Sequence, residues 1–460
     1  MKTPMGNLVI MRLLKLVYIL MVTMIFYVCW KMFYMPCLNL TKLSYGLTVG
    51  LLYLILFVLL GRIYEVFSVG TYRVSHLVFS QGLSLLLIAG MTYVLMTVAA
   101  WRFTNPLPLL GAFAAQGVWS VLWSWCTNRI YYALHKPKKA VIIYESENDR
   151  SKLEEVRHFD RKFSVVKHIP LTENVSFLLE QIEDAEAVFL PSMDIDDRNE
   201  IVKYCVNNDI QCYVQPRVGD LLMAGAKHMQ MFSVPLVRVR KEYHAPEYLF
   251  FKRALDIVAS LLAIIVLSPF MLVTAIAIKA QDGGPVLYKQ VRLTKDRKEF
   301  KVWKFRSMRV DAEKDGVARL STENDDRITP VGHVIRKIRF DELPQLFNIL
   351  KGDMTIVGPR PERPEIARQY EEEIPSFGLR LQVKAGLTGY AQIYGKYNTE
   401  PYDKLKMDLM YINNMSFMED LRLIFATIKI QFVPDSTEGI AEGQTTASKK
   451  ETEEKETVQV

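Results

Sequence analysis

The sequence predicts a membrane protein of the α+β class, and three observations carry that prediction. Four long apolar runs fill the first 135 residues, a strand–helix alternation follows, and a fifth apolar run is interrupted by Pro269. They set out an N-terminal four-helix transmembrane bundle over residues 1–135 and a small parallel, Rossmann-like α/β domain over 136–236. A C-terminal domain, 237–433, opens with a re-entrant membrane helix, and a disordered tail closes the chain at 434–460.

The first apolar runs are roughly 13–34, 46–64, 77–100 and 107–126. Each is long enough to span a hydrocarbon core about 30 Å thick, which takes roughly 20 helical residues. No small-residue cleavage site follows the first run, so it is expected to be retained. Lys2, Arg12 and Lys15 lie at its start, Arg62 and Arg73 in the second loop, and Arg129, Lys136, Lys138 and Lys139 after the fourth run. Positive residues favour the cytoplasm, so both ends of the bundle are expected there.

Composition narrows the function. Half of the 460 residues are hydrophobic, and the net charge of +7 comes from basic clusters beside apolar runs. That pattern suits anionic lipid or phosphorylated substrates and argues against nucleic acid as a partner. The five cysteines show no CxxC spacing, so neither a metal knuckle nor a disulfide framework is expected.

In the α/β domain the strands read as AVIIY, FSVVKHI, AEAVFL and IQCYVQ, with helical patterns NVSFLLEQIE and RNEIVKYCVNN between them. The turn after the first strand, IIYESENDR, has no glycine and two acids where a dinucleotide-binding loop needs glycines. Asp194 and Asp196 form a DxD, which some sugar-nucleotide enzymes use to hold a divalent metal. Capping of the following helix explains them more simply. The tail after 433 has few apolar residues and many charged or small ones, the composition of a disordered segment.

The fifth apolar run, 257–278, has no charged residue, but its flanks and its middle argue against a plain crossing. Lys252 and Arg253 precede it, and Lys279, Lys289, Arg292 and further cations follow, so both ends carry the cytoplasmic signature. Pro269 removes a backbone donor at the midpoint, and Ser268 can satisfy the carbonyl this frees. A helix that enters, bends at Ser268-Pro269 and leaves on the same face meets both constraints. A kinked helix that crosses fully is the competing reading.

The densest chemistry lies between 325 and 365. Thr329-Pro330 starts one helix, and a second begins at Asp341, where the spacing places Asp341 at an N-cap with Glu342 beside it. Capping alone would account for Asp341. Its neighbours point further: Arg336, Arg339, Arg360 and Arg363 supply forked donors suited to phosphate oxygens, and GPRP would fix Arg360 on a stiff loop. Two adjacent acids among arginines fit phosphoryl transfer, one carboxylate attacking while the other holds Mg²⁺ between phosphates. Gly386, Gly389 and Gly395 serve equally well as turn glycines or as a close backbone approach to a nucleotide, and Leu405, Leu409, Ile412 and Met415 form a core or interfacial stripe.

These residues match a family. FKRALDIVAS, the Ser268-Pro269 break, GGPVLYKQVR, FKVWKFRSM, DDRITPVG, DELPQLFNILKGDMTIVGPRPE, KAGLTGYAQIYGKYN and YINNMSFMEDLRLIFATI occur in order from about Tyr248 to Phe432. The segment resembles the bacterial sugar transferases that are monotopic phosphoglycosyl transferases, and the whole layout resembles their long form. The resemblance implies a multi-pass protein of the bacterial cell membrane with a cytoplasmic catalytic domain. It implies transfer of a hexose-1-phosphate from a UDP-sugar to polyprenyl (undecaprenyl) phosphate, with release of UMP, as the first membrane step of exopolysaccharide or capsule synthesis.

It also implies a covalent aspartyl-phosphosugar on Asp341, with Glu342 binding Mg²⁺ and orienting the pair. On electrostatic grounds Lys304, Arg306, Arg336 and Arg360 are expected as phosphate or nucleotide contacts, and Lys252 and Arg253 as anchors of the re-entrant helix at lipid head groups. UDP-sugar, polyprenyl phosphate and membrane lipid are the expected partners, with a homodimer compatible with the bundle and the α/β layer. Two alternatives remain beside this reading: a non-catalytic scaffold that binds polyprenyl lipid, and a metal-dependent glycosyltransferase using Asp194 and Asp196.

Overall fold

In the computed structural model the described residues are 4–37, 43–72, 74–145, 162–171, 174–231, 234–239, 245–310, 312, 327–395 and 399–430. The tail 434–460 lies outside them. The chain divides into two compact units, Met1–Gln215 and Pro216–Val460.

The first unit opens with helices α1 (Pro4–Cys29), α2 (Leu43–Ile63), α3 (Val74–Ala100) and α4 (Leu107–Leu134). Their polarity is turned outward-in. Leu51, Leu86, Val94, Val118 and Leu122 are exposed, whereas Gln81, Gln116, Ser120 and Ser124 are buried. Gln116 Nε2 donates to the Tyr53 hydroxyl at 2.8 Å and to the Val22 carbonyl at 2.9 Å, and Ser124 Oγ donates to Gln81 at 2.9 Å. Lipid provides no hydrophobic drive between helices, so hydrogen bonds and close packing hold them together, as where Tyr18 stacks on Trp123 with ring centroids 4.4 Å apart. With the helix Pro246–Asp282 of the second unit, five described helices are long and apolar enough to cross a membrane. This is a membrane protein of mixed helix and sheet.

The α/β layer follows the expected alternation. Strands β1 (Lys138–Tyr144), β2 (Phe163–Pro170), β3 (Ala187–Leu190) and β4 (Gln211–Val214) form a parallel sheet in the order β2-β1-β3-β4. The inner strands are apolar through their centres because both faces are covered there: Ala140 to Ile143 and Ala187 to Leu190 are all buried. Helices α5 (Val175–Gln181) and α6 (Ile195–Asn207) cover one face, with Leu178, Ile201 and Cys205 packed on Ile143 and Val188. Asp194 is the N-cap of α6, its side chain accepting from the Asp196 amide at 3.4 Å.

Helix α7 (Val218–Ala224), expected with the α/β layer, belongs to the second unit, where Leu221 packs against Leu405, Leu409 and Ile412. An antiparallel hairpin of β5 (Lys227–Met231) and β6 (Val234–Arg238) follows. Next comes α8 (Pro246–Asp282), a continuous helix of 37 residues with Pro269 inside it. Pro269 leaves the carbonyl four residues back without its amide partner, and Ser268 Oγ donates to that carbonyl, Ile265 O, at 2.9 Å.

Beyond α8, β7 (Leu287–Leu293) and β8 (Glu299–Phe305) pair antiparallel. Helices α9 (Pro330–Lys337) and α10 (Gln345–Lys351) flank a 3₁₀ turn at Phe340–Glu342. Strands β9 (Thr355–Val357) and β10 (Gly386–Thr388) pair parallel, with α11 (Pro364–Glu373) and a 3₁₀ segment, Pro375–Gln382, between them. Helices α12 (Tyr390–Ile393), α13 (Pro401–Asn413) and α14 (Phe417–Ile430) complete the unit. Leu405, Leu409 and Ile412 are at most 1 % exposed, so their stripe is core.

Candidate active site

Asp341 and Glu342 stand where two local effects meet. Arg339 adopts a left-handed conformation (φ 54°, ψ 24°), which turns the chain sharply after α9 at a cost of about 1 kcal/mol. Pro344 has no amide to give Phe340, so the next turn tightens: Glu342 N bonds Arg339 O at 3.3 Å and Leu343 N bonds Phe340 O at 3.2 Å. Asp341 therefore lies inside a 3₁₀ turn and is not the N-cap of the helix that follows, as its spacing suggested. Gly352 ends that helix with φ 96°, as expected of a glycine there.

The turn presents both acids to a nest of cations. Glu342 Oε1 accepts from Lys304 Nζ at 2.9 Å and from Arg360 Nη2 at 3.1 Å. Burial pushes the Glu342 carboxyl up, but Lys304, Arg360 and Arg339 overcome it and hold the group well below the usual range. Burial also raises Asp341, and the Glu342 charge adds to the rise against the pull of Lys304, Arg336 and Arg360. The pair is thus split: Glu342 stays ionised, and Asp341 holds its proton more tightly than a free carboxyl. Two lobes of one cleft flank Glu342. A cationic lobe is lined by Arg292, Lys304, Arg360 and Leu387; the other, of about 120 Å³, by Arg339, Leu343, Leu387, Thr388 and Gln392.

The loop that carries Arg360 is set by two facing glycines. Gly358 N bonds Thr388 O at 2.8 Å, and Gly386 N bonds Pro359 O at 2.9 Å. A Cβ on Gly386 would stand 2.1 Å from Gly358 N, so Gly386 serves a close approach of two backbones. Behind the loop, Arg380 Nε donates to Asp408 Oδ2 at 2.8 Å, and Arg292 lies 3.6 Å from Glu362. Burial drives Asp408 up to about 6 even beside Arg380.

Of the expected site residues, Lys304, Arg336, Asp341, Glu342 and Arg360 come together. Arg306 does not. It is 7 % exposed and pairs with Asp282 at the end of α8, because the strand it follows has ended and its side chain turns under the helix. Lys252 and Arg253 also differ from expectation. Lys252 is 7 % exposed and bonds Asp420 at 2.8 Å and the Tyr411 hydroxyl at 3.1 Å. Arg253 donates to the Ile349 and Leu350 carbonyls at 2.6 and 2.8 Å, closing the last turn of α10. Both tie α8 to its own unit and leave no cation for a head group at Lys252. Arg292, Arg380 and Asp408 escaped the sequence reading. Arg292 was within reach, since pairing of Tyr288 with Lys304 and of Arg292 with Phe300 puts Arg292 and Lys304 on one face of the hairpin.

The sequence pattern described as bacterial sugar transferase matches residues 247–433. The exopolysaccharide production protein PSS of Rhizobium leguminosarum bv. phaseoli is 43 % identical over 188 residues, 38 % of this chain and 92 % of that protein. The chain belongs to the bacterial sugar transferase family. Among longer relatives, the UDP-N-acetylgalactosamine-undecaprenyl-phosphate N-acetylgalactosaminephosphotransferase of Aeromonas hydrophila is 44 % identical over 188 residues, 40 % of this chain and 44 % of its own length. The UDP-glucose:undecaprenyl-phosphate glucose-1-phosphate transferase of Klebsiella pneumoniae is 44 % identical over 191 residues, 40 % and 41 %. The matched segment thus spans less than half the length of these two sugar transferases.

Proposed function

We propose that this sugar transferase moves a hexose-1-phosphate from a UDP-sugar to undecaprenyl phosphate, releasing UMP and starting the assembly of an exopolysaccharide or capsule. The observation that carries the reading is the carboxylate pair inside its cation nest: Glu342 bonded to Lys304 and Arg360, with Asp341 beside it. The names of the relatives from Aeromonas hydrophila and Klebsiella pneumoniae support the substrate classes.

An ionised Asp341 oxygen attacks the β-phosphorus, and the bond from that phosphorus to the bridging oxygen breaks, so UMP leaves with the oxygen and its electron pair. A phosphate oxygen of the lipid then attacks the same phosphorus and displaces Asp341. Lys304 and Arg360 hold the phosphoryl oxygens as charge builds on them. Lys304, Arg336 and Arg360 oppose the rise that burial and Glu342 impose on Asp341, and so favour the attacking carboxylate. Mg²⁺ suits the site: it is usually held by one or two carboxylates plus substrate phosphates, and Glu342 is a carboxylate held ionised beside the cleft. When bound it would neutralise charge on the diphosphate, with Glu342 as its main protein ligand.

The four helices of the first unit span the membrane in this reading, the second unit faces the cytoplasm, and α8 is re-entrant. Support comes from both ends of α8 bonding to the same unit. Lys252 pairs with Asp420 near its start, and at its end Gln281 Oε1 accepts from Val331 N at 3.2 Å while Asp282 pairs with Arg306. Just past the proline, Phe270 meets Phe340 with ring centroids 6.4 Å apart, so the middle of α8 lies beside the Asp341 turn. A greasy acceptor and a water-soluble donor would meet there.

The test is nucleotide release by the detergent-solubilised protein given undecaprenyl phosphate, Mg²⁺ and a panel of UDP-sugars. UMP from one sugar is expected. UDP in its place, or no nucleotide from folded protein, would overturn the proposal.

A further inference from the structure

We infer that Arg380 is a positioning residue for the phosphate-binding loop 358–362, holding the backbone so that the Arg360 side chain meets Glu342. This rests on the transferase reading above. The loop contains two prolines, Pro359 and Pro361, which have no amide to offer, so it is held largely through its carbonyls. Four in succession accept hydrogen bonds: Pro359 O from Gly386 N at 2.9 Å, Arg360 O from Arg380 Nη2 at 2.9 Å, Pro361 O from Arg292 Nη1 at 3.1 Å and Glu362 O from Leu293 N at 3.0 Å. The bond from Arg380 falls on the residue whose side chain reaches the reacting pair.

Arg292 lines the cleft as well, but Arg380 does not. Its side chain is 3 % exposed, with Asp408 Oδ2 at 2.7 Å from Nη2, Glu362 at 3.8 Å from Nη1, and the guanidinium 4.9 Å from the Phe377 ring centroid. A group so enclosed acts on substrate only through what it holds. The pair is also a poor device for stability alone. Burying two charges costs most of what their attraction returns, and apolar replacements of such pairs are often neutral or stabilising. What an apolar side chain cannot supply is a fixed donor aimed at the Arg360 carbonyl while Asp408 and Glu362 hold the rest of the fork in place.

A double-mutant cycle on the full-length protein tests this, with kcat and KM for UMP release measured for wild type, Arg380→Lys, Arg360→Ala and the pair. Arg380→Lys keeps the charge but loses the fork. It should lower kcat/KM about tenfold or more in the wild-type background and less than about twofold where Arg360 is already gone. Asp408→Asn, nearly isosteric, should follow the same pattern, and thermal melting of each variant establishes that it is folded. Equal losses in both backgrounds would mean a structural role only and would overturn the inference, as would an unchanged Arg380→Lys. Failure of the wild type to release UMP would instead bring down the transferase reading, and the inference with it.

Discussion

Two pairs of acids, Asp194 with Asp196 at the start of α6 and Asp341 with Glu342 in the 3₁₀ turn before α10, lie in different units and differ in nearly everything around them. Asp194 and Asp196 are exposed, and the side chain of Asp194 is spent on a backbone amide. Glu342 is 13 % exposed and shares one oxygen between Lys304 and Arg360, while burial and Glu342 together unsettle the charge of Asp341. The acids themselves carry little information. What separates a cap from a candidate nucleophile is the set of cations that the fold brings in from β8 and from the loop after β9.

The sharpest way to break the comparison is to remove the Asp341 charge. Asp341→Asn should cut UMP release by at least about a thousandfold, and the wild type alone should gain the mass of a sugar phosphate when given UDP-sugar without acceptor. The same variant should be the more stable protein. A raised carboxyl pKa means that the folded state holds the proton more tightly than the unfolded chain. Stability from this group is fully present below the unfolded pKa and is lost as pH rises through the raised folded one, so above the unfolded value the carboxyl is a cost that asparagine lifts. A lower melting temperature for Asp341→Asn would show that the carboxylate is structural after all.

Next in size is the loss of Lys304. Lys304→Met removes a hydrogen bond and the strongest opposing charge from Glu342, so the Glu342 pKa must rise. In the wild type Lys304, Arg360 and Arg339 hold Glu342 below the usual carboxylate range while Asp341 is raised, so the acid limb of kcat/KM, the loss of rate on acidification, starts with Asp341. In Lys304→Met the rate should fall about a hundredfold, and the acid limb should move to higher pH as Glu342 joins it. An acid limb that stays in place would mean that Lys304 does not hold Glu342 ionised.

How much of this was legible in the sequence follows from the range over which each feature is determined. The parallel strands were legible because burial on both faces writes a continuous branched run, as in AVIIY. So was the bond from Ser268 to Ile265 O, since a proline frees a carbonyl at a fixed distance back along the chain. Asp341, Glu342 and Arg360 stood out by composition and by resemblance. Arg306 and Lys252 were misplaced because proximity in sequence does not tell which face of a hairpin or helix a cation takes. Arg380 and Asp408 were missed because neither lies in a run of like charge, and only the packing of α13 on the 3₁₀ segment brings them to the GPRP loop.

The smallest effect comes from the other pair. Asp194→Ala removes a cap whose hydrogen bond is 3.4 Å long, so it should cost about 1 kcal/mol or less, seen as a slight fall in melting temperature. Its rate of UMP release should match the wild type. The helix start remains negative in the variant, because Asp196 and Asp197 still occupy the first turn, and that limits the damage further. If Asp194→Ala instead abolished nucleotide release from a protein that still melts cooperatively, exposure would be no guide to which acids do chemistry here. The DxD, and not the acids beneath Lys304 and Arg360, would then have to hold the diphosphate. That outcome would also change the product, since a metal-dependent glycosyltransferase leaves UDP, so the rate and the nucleotide identify the working pair independently.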